Sequence, residues 1–295
     1  MKKIWISMTC FLLAFGLFAR MRVVTTYPYI QDITERIGQD GVKVIALSPG
    51  NWDPHVIIPK PSLIAQVRRA DLLIINGAQL EIGWIPPVIR QANNPDVMPG
   101  KKGFLDLSNF VKLIQVPSGV SRAQGDIHPA GNPHFHLDPA HIPPVTRAIA
   151  DKLMALDPDH AESYARNRDR FLEQWNAKLE EWDRKMAPLK GKQYVEFHKN
   201  LDYFLEHYGL IVLDTIEPLP GIPPTSKHTL ELIDKLKNEE VAKILHDVYH
   251  SAKCTRLLSE KTGVPWVVMP HDVRSLEEVR DIIGLFDELV ARLTK

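Results

Sequence analysis

The chain is predicted to fold as an α/β protein of two lobes, each a mostly parallel sheet flanked by helices, joined by one long rigid helix. Three observations lead there. Short, continuously apolar runs such as "LLIIN" (72–76) have the pattern of strands buried on both faces, as parallel sheets require. Helical patterns alternate with such runs on both sides of the middle of the chain. Between them, over 158–187, Tyr164, Phe171, Trp175, Leu179, Trp182 and Met186 recur at helical intervals in the longest helical pattern of the sequence. Thirty such residues span roughly 45 Å, enough to run the length of two lobes.

Element by element, "MKKIWISMTCFLLAFGLFAR" (1–20) pairs two lysines with an apolar run too short for a comfortable membrane span. It is expected to be a secretory signal peptide. Its cleavage motif is weak, because Leu17-Phe18-Ala19 puts a large residue where a small one is preferred, and an uncleaved anchor is the alternative. Cys10 precedes the main apolar run and does not have the placement of a lipoprotein cysteine. The N-terminal lobe (21–157) then runs through strands at 22–26, 42–48 and 72–76, with "FLDLS" and "VKLIQV" (111–116) as two more. Helices are expected at "IQDITERIG", at "PSLIAQVRRA" (61–70) and at "IPPVTRAIADKLMALD". The linking helix occupies 158–187. In the C-terminal lobe (188–295), strands are expected at 193–198, 210–216, 241–246 and 265–269, and the last helix at a capping box formed by Ser275 and Glu278. No internal repeat is evident.

Composition narrows the function. Lysine plus arginine and aspartate plus glutamate both number 36, which argues against a nucleic-acid partner held by bulk charge. Once the signal is removed only Cys254 remains, so the exported chain has no intramolecular disulfide and depends on its core.

The histidines carry the chemistry. "GNPHFHLDPAH" (131–141) places three imidazoles in a loop, and histidine is the commonest metal ligand. In open α/β sheets ligands collect at the carboxyl ends of strands. His55 follows the strand at 42–48, His134 and His136 follow 111–116 at longer distance, His198 ends "QYVEFH", and His271 and Asp272 follow "PWVVM". Candidates from both lobes therefore converge on one cleft.

Several segments have plainer explanations. His246 and His250 in "HDVYH" suit a surface or cleft wall, and His141, His160, His207 and His228 suit solvated helix positions. Glu196, two residues before His198, is either a buried carboxylate or a group orienting a ligand. "EPLPGIPPTSKHT" (217–229) suits a stiff connection near the cleft, and Cys254 a small buried helix residue.

With "VVTTYPYIQDI", "DPHVIIPKPS", "RRADLLIINGAQLE", "GNPHFHLDP", "YVEFHKNLDYFLEHYGL" and "IEPLPGIPPT" in order, the chain resembles the zinc- and manganese-binding solute-binding proteins of ABC importers, cluster A-I, from Val23 to its end. The resemblance implies a metal site between lobes held by His55, His134, His198 and Asp272. His271 competes for the fourth place, and His136 falls where the family more often has an aromatic residue. His128 lies in a short loop where many zinc members carry a long histidine-rich run; it is either an extra transient ligand or a solvated side chain.

Three imidazoles and a carboxylate suit Zn2+, whereas Mn2+ favours more oxygen. Within the family a glutamate at the His198 position tends to accompany manganese, so His198 tilts the expectation to zinc, with Mn2+ the alternative. The implied protein is a periplasmic monomer that delivers its ion to an ABC importer membrane permease, is not an enzyme, and does not insert in the membrane after signal cleavage. A metal-binding adhesin on the same scaffold is a further possibility. A secreted zinc hydrolase is disfavoured, since neither HExxH nor GxSxG occurs.

Overall fold

A computed structural model describes residues 20–119 and 128–295. Apart from Arg20, the expected signal segment lies outside these residues, Cys10 included. Among the described residues no helix is long and apolar enough to cross a membrane.

The first sheet contains β1 (Met21–Thr25), β2 (Val42–Ala46), β3 (Leu72–Ile75) and β4 (Phe104–Asp106), all parallel, in the order β2-β1-β3-β4. The second contains β5 (Gln193–Glu196), β6 (Ile211–Thr215), β7 (Val241–His246) and β8 (Trp266–Val268), also parallel, in the order β6-β5-β7-β8. The two sheets share one topology, a repeat that the sequence does not display. In each, the winding direction reverses beside the first strand, and the crevice for a ligand opens at the carboxyl ends there.

Helices α1 (Pro28–Gly38), α2 (Pro61–Arg68), α3 (Ile85–Ala92) and α4 (Ile142–Leu156) flank the first sheet. All four of these helices begin Pro-first or Pro-second, where the missing N–H costs nothing. Helices α6 (Asp202–His207), α7 (Ser226–Asn238) and α8 (Lys253–Thr262) belong to the second lobe. Between the sheets runs α5 (Ala161–Met186), 26 residues and about 39 Å long. Its apolar stripe is buried as the periodicity predicts, with Leu179 partly buried against the core.

The last helix, α9 (Ile282–Thr294), corrects the sequence expectation. Asp281, and not Ser275, caps it by accepting the amide of Gly284 at 2.7 Å. Glu278 instead pairs with Arg292. The helix packs back onto α5, where Trp175, Trp182 and Phe286 meet with ring centroids 5.1–5.3 Å apart. Trp182 donates to Asp287 at 2.9 Å. One hydrophobic core consequently runs from β1 through α5 to α9 and into the second lobe at Tyr194 and Leu205, and a smaller core lies under α7 and α8.

Residues 111–116, expected as a strand, form no strand. Gln115 takes φ 54°, outside the extended region, and the segment bonds across the lobes instead. The amide of Ile114 donates to the Tyr203 hydroxyl at 3.1 Å, and the Ile114 carbonyl accepts from Asn132 at 2.9 Å.

Candidate metal centre

Three imidazoles meet between the lobes: His55 and His134 from the first, His198 from the second. One ring nitrogen of each lies within 4.8 Å of the others. The ring centroids form a nearly equilateral triangle with sides of 5.2, 5.3 and 5.4 Å, and the rings stand edge-on to one another.

His55 sits in the loop after β2. Asp53 Oδ1 accepts both its amide (2.9 Å) and its ring Nδ1–H (2.8 Å), a local turn that fixes backbone and ring together. The loop is pinned below by the carbonyl of Pro54, which accepts from Tyr27 and from the Trp84 indole. Burial pushes the Asp53 carboxyl up, but the hydrogen bonds from His55 outweigh it and hold it at about 2.

His134 follows a turn closed by Asn132, whose Oδ1 accepts the His134 amide at 2.9 Å. Gly131 makes the approach possible: its φ is +115°, and a Cβ there would lie 2.6 Å from the Ile114 carbonyl. The buried Phe135 and Leu137 anchor the far side. Burial, reinforced by His55 and His198, holds the His134 pKa well below its ordinary value, so the ring is neutral; its Nε2 is buried with no protein partner.

His198 follows β5, and its Nδ1–H donates to Glu217 Oε2 at 2.8 Å. The sheet explains this pairing. Glu196 lies beside Thr215 in the β5–β6 register, so two residues on His198 lies beside Glu217, and Glu217 N bonds the Phe197 carbonyl at 3.0 Å. Carboxylates thus occupy Nδ1 of both His55 and His198, fixing the tautomer that leaves Nε2 as a lone-pair donor.

His128 joins this group at its edge. Its ring stacks on His55 with centroids 5.4 Å apart, it hydrogen-bonds the backbone of Gln79, and its Nε2 is buried without a partner. Burial, with His55 and His198 nearby, lowers its pKa to about 4.

His136, His271 and Asp272 form a layer behind the triangle. His136 stacks on Tyr29 at 4.5 Å and donates through Nε2 to the His271 carbonyl at 2.8 Å. His271 donates to the Trp52 carbonyl at 3.3 Å and meets Tyr249 edge-on. Asp272, expected as the fourth ligand, is not one of the converging group. Its Oδ1 accepts the amides of Tyr29 (2.9 Å) and Val273 (2.6 Å), and burial pushes its carboxyl well above the usual range.

Sequence reasoning missed Asp53, Asn132 and Glu217. Asp53 and Asn132, each two residues before a histidine, carried a legible turn signal. Glu217 lies 19 residues from His198 and is brought to it only by the sheet. Glu196 does not orient a ligand; it accepts the amide of Leu201 and closes the turn after His198. The histidines expected to be solvated are paired instead: His141 to the Phe135 carbonyl, His228 to the Thr215 carbonyl, and His160 and His207 to Asp157 and Asp138. His246 ends β7 and lies buried against Thr255.

Fold and site together define a two-lobed α/β binding protein with a three-histidine centre between its lobes. Residues 23–295 match the family described as zinc-uptake complex component A, periplasmic, and the chain belongs to that family of metal-binding, substrate-binding components of ABC importers. It is similar to the manganese ABC transporter substrate-binding lipoprotein PsaA of Streptococcus pneumoniae, 25% identical over 285 residues, covering 90% of this chain and 88% of that protein. It is 23% identical over 266 residues to the zinc-binding lipoprotein AdcA of the same species, covering 88% of this chain and 51% of AdcA, so it spans about half of that relative's length. The fold matches a zinc-bound ZnuA deletion mutant (TM-score 0.75, 23% identity, 93% of this chain and 97% of that one). It also matches a cadmium-bound periplasmic metal binding protein from Candidatus Liberibacter asiaticus (TM-score 0.77, 18% identity, 93% and 98%).

Proposed function

We propose that this chain is an extracytoplasmic receptor that captures Zn2+ between its lobes and delivers it to the membrane permease of an ABC importer. The convergence of three imidazoles on one point, two of them backed by carboxylates, carries this conclusion. Such a nitrogen-rich set suits zinc in four-coordinate geometry, with Zn–N distances of about 2.0–2.1 Å. Manganese is harder and is better served by carboxylate and water oxygens. His55, His134 and His198 are the ligands, and His128, whose unpartnered Nε2 lies at the edge of the group, is an additional candidate donor. The charge of the ion is balanced through the imidazoles by Asp53 and Glu217.

The relatives are named for both metals, so metal choice rests on the donor set. The receptor acts as a monomer in the periplasm, after export by its N-terminal segment. Calorimetric titration of the metal-free protein, first with zinc and then with manganese, tests this. One tight zinc per chain with much weaker manganese is expected. Tighter manganese, or binding that is not one-to-one, would overturn the assignment.

A further inference from the structure

Beyond Glu217 a chain of polar contacts continues outward, its first link an ion-pair approach. Glu217 turns Oε2 to His198, and its other oxygen, Oε1, lies 3.3 Å from Nε2 of His250. Nδ1 of His250 lies 2.8 Å from Asp247 Oδ2. Asp247 Oδ1 in turn accepts the amides of Tyr249 (3.2 Å) and His250 (2.9 Å), closing the turn that carries the ring. The ring stacks on Phe197, with centroids 4.4 Å apart and planes 24° from parallel. His250 is therefore held on both ring nitrogens and on one face. The chain from Asp247 through His250 and Glu217 to His198 has a protein partner at each link.

Glu217 needs such a hold. It stands at the head of a proline-rich connection whose next apolar residues, Leu219 and Ile222, are exposed. Its backbone is fixed by the Phe197 carbonyl and by the Thr215 hydroxyl, which donates to the Glu217 carbonyl at 2.6 Å. These contacts leave the carboxylate free to rotate about its own side-chain torsions. Three contacts restrain it: Oε2 accepts from the His198 Nδ1–H and from the Gly221 amide (3.3 Å), and on the other side Oε1 faces the His250 Nε2 at 3.3 Å.

We propose that His250, anchored by Asp247, is a positioning residue for the metal centre. By occupying Oε1 it holds the Glu217 carboxylate so that Oε2 receives the His198 Nδ1–H, and His198 Nε2 is thereby kept as the donor facing the site. This inference rests on the receptor reading above for its consequence, but the orientation of His198 is a property of the metal-free chain.

The test uses the full chain, and zinc itself is the probe. In the metal-free protein, imidazole nitrogen NMR should show His198 as a single Nδ1–H tautomer. His250→Ala should give a mixture of tautomers and about tenfold weaker zinc binding, the lower end of what losing such a partner costs. His250→Gln, whose amide can still donate to Glu217, should restore most of both. If His250→Ala does not fold, Asp247→Asn, which keeps the ring but weakens its anchor, is read the same way. An unchanged His198 tautomer with unchanged affinity overturns the proposal, as does a glutamine variant no better than alanine. Failure of the wild type to bind zinc tightly would sink the receptor reading, while the tautomer spectra would still decide the role of His250.

Discussion

The backbone N–H of Tyr29 donates to Oδ1 of Asp272 at 2.9 Å, joining residues 243 positions apart. Tyr29 lies in the first turn of α1, whose N-cap, Tyr27, offers no side-chain acceptor. Asp272 therefore caps the helix from the opposite lobe, satisfying an amide that helix geometry leaves orphaned and facing the positive end of the helix dipole.

From this follows the first prediction. Asp272→Ala should destabilise the metal-free protein by about 2 kcal/mol, the range of a lost cap combined with a buried unsatisfied amide. Zinc affinity should fall much less than in His198→Ala. Urea unfolding and zinc titration on the two variants check this, and an affinity loss matching that of His198→Ala would return Asp272 to the ligand set.

His198 and His136 should separate binding from stability. His198→Ala removes a converging donor and should weaken zinc binding by at least about 100-fold, on the scale of several kcal/mol for a ligand lost. His136→Ala removes a ring stacked on Tyr29 and bonded to the His271 carbonyl. It should cost folding stability while changing affinity less than about tenfold, as for partners outside the ligand shell. Equal affinity losses in the two variants would contradict the geometry described.

Glu217→Gln tests the carboxylate behind His198. The amide is similar in shape but carries no charge, and zinc binding should weaken by about 10–100-fold with little change in unfolding midpoint. A stability loss without an affinity loss would make Glu217 a packing residue only.

Acid acts on this protein twice. Zinc binding should weaken from pH 8 to pH 5, because protons compete for the imidazole nitrogens; a flat profile would exclude histidine ligation. Folding has its own dependence. Burial holds His136 at about 4 against an ordinary 6.5, so the unfolded chain takes up this proton first as pH falls. Its contribution to stability is complete above about 6.5 and is lost progressively towards 4. Glu81, raised by burial to about 7, works in the opposite direction over a window above 4.5. His136→Gln, which keeps a donor for the His271 carbonyl, should therefore lose less stability than the wild type between pH 7 and pH 5 in matched urea titrations.

Lobe movement should be small. The main core is continuous across α5 and α9, and Asn132 reaches across to Asp202 (3.1 Å) and the Lys199 carbonyl (2.8 Å). Small-angle scattering with and without zinc should give nearly the same radius of gyration; a large compaction would show that these contacts open.

The strands and the linking helix were legible because their signals are local. Buried parallel strands such as Leu72–Ile75 are apolar on both faces, and the stripe from Tyr164 to Met186 repeats at the helical period. His55 and His198 were legible for a related reason: each follows a strand, and strand ends are where such folds gather ligands. His134 was placed by an expected strand at 111–116 that does not form, and stood out instead by the histidine density of its loop. The segment 111–116 and the start of α9 were misread because tertiary bonds overrode their pattern. Ile114 is drawn to Tyr203 and Asn132, and Asp281 supplies a better-placed cap than Ser275. The residues behind the ligands were invisible in sequence for a different reason. Glu217 reaches His198 through the β5–β6 register, His250 reaches Glu217 across a turn after β7, and Asp272 reaches Tyr29 from the far lobe. Local periodicity, strand ends and the histidine-rich loop point to the converging imidazoles on the sequence alone, but the carboxylates that orient and cap act through space, and only the packed lobes decide which carboxylate faces which nitrogen.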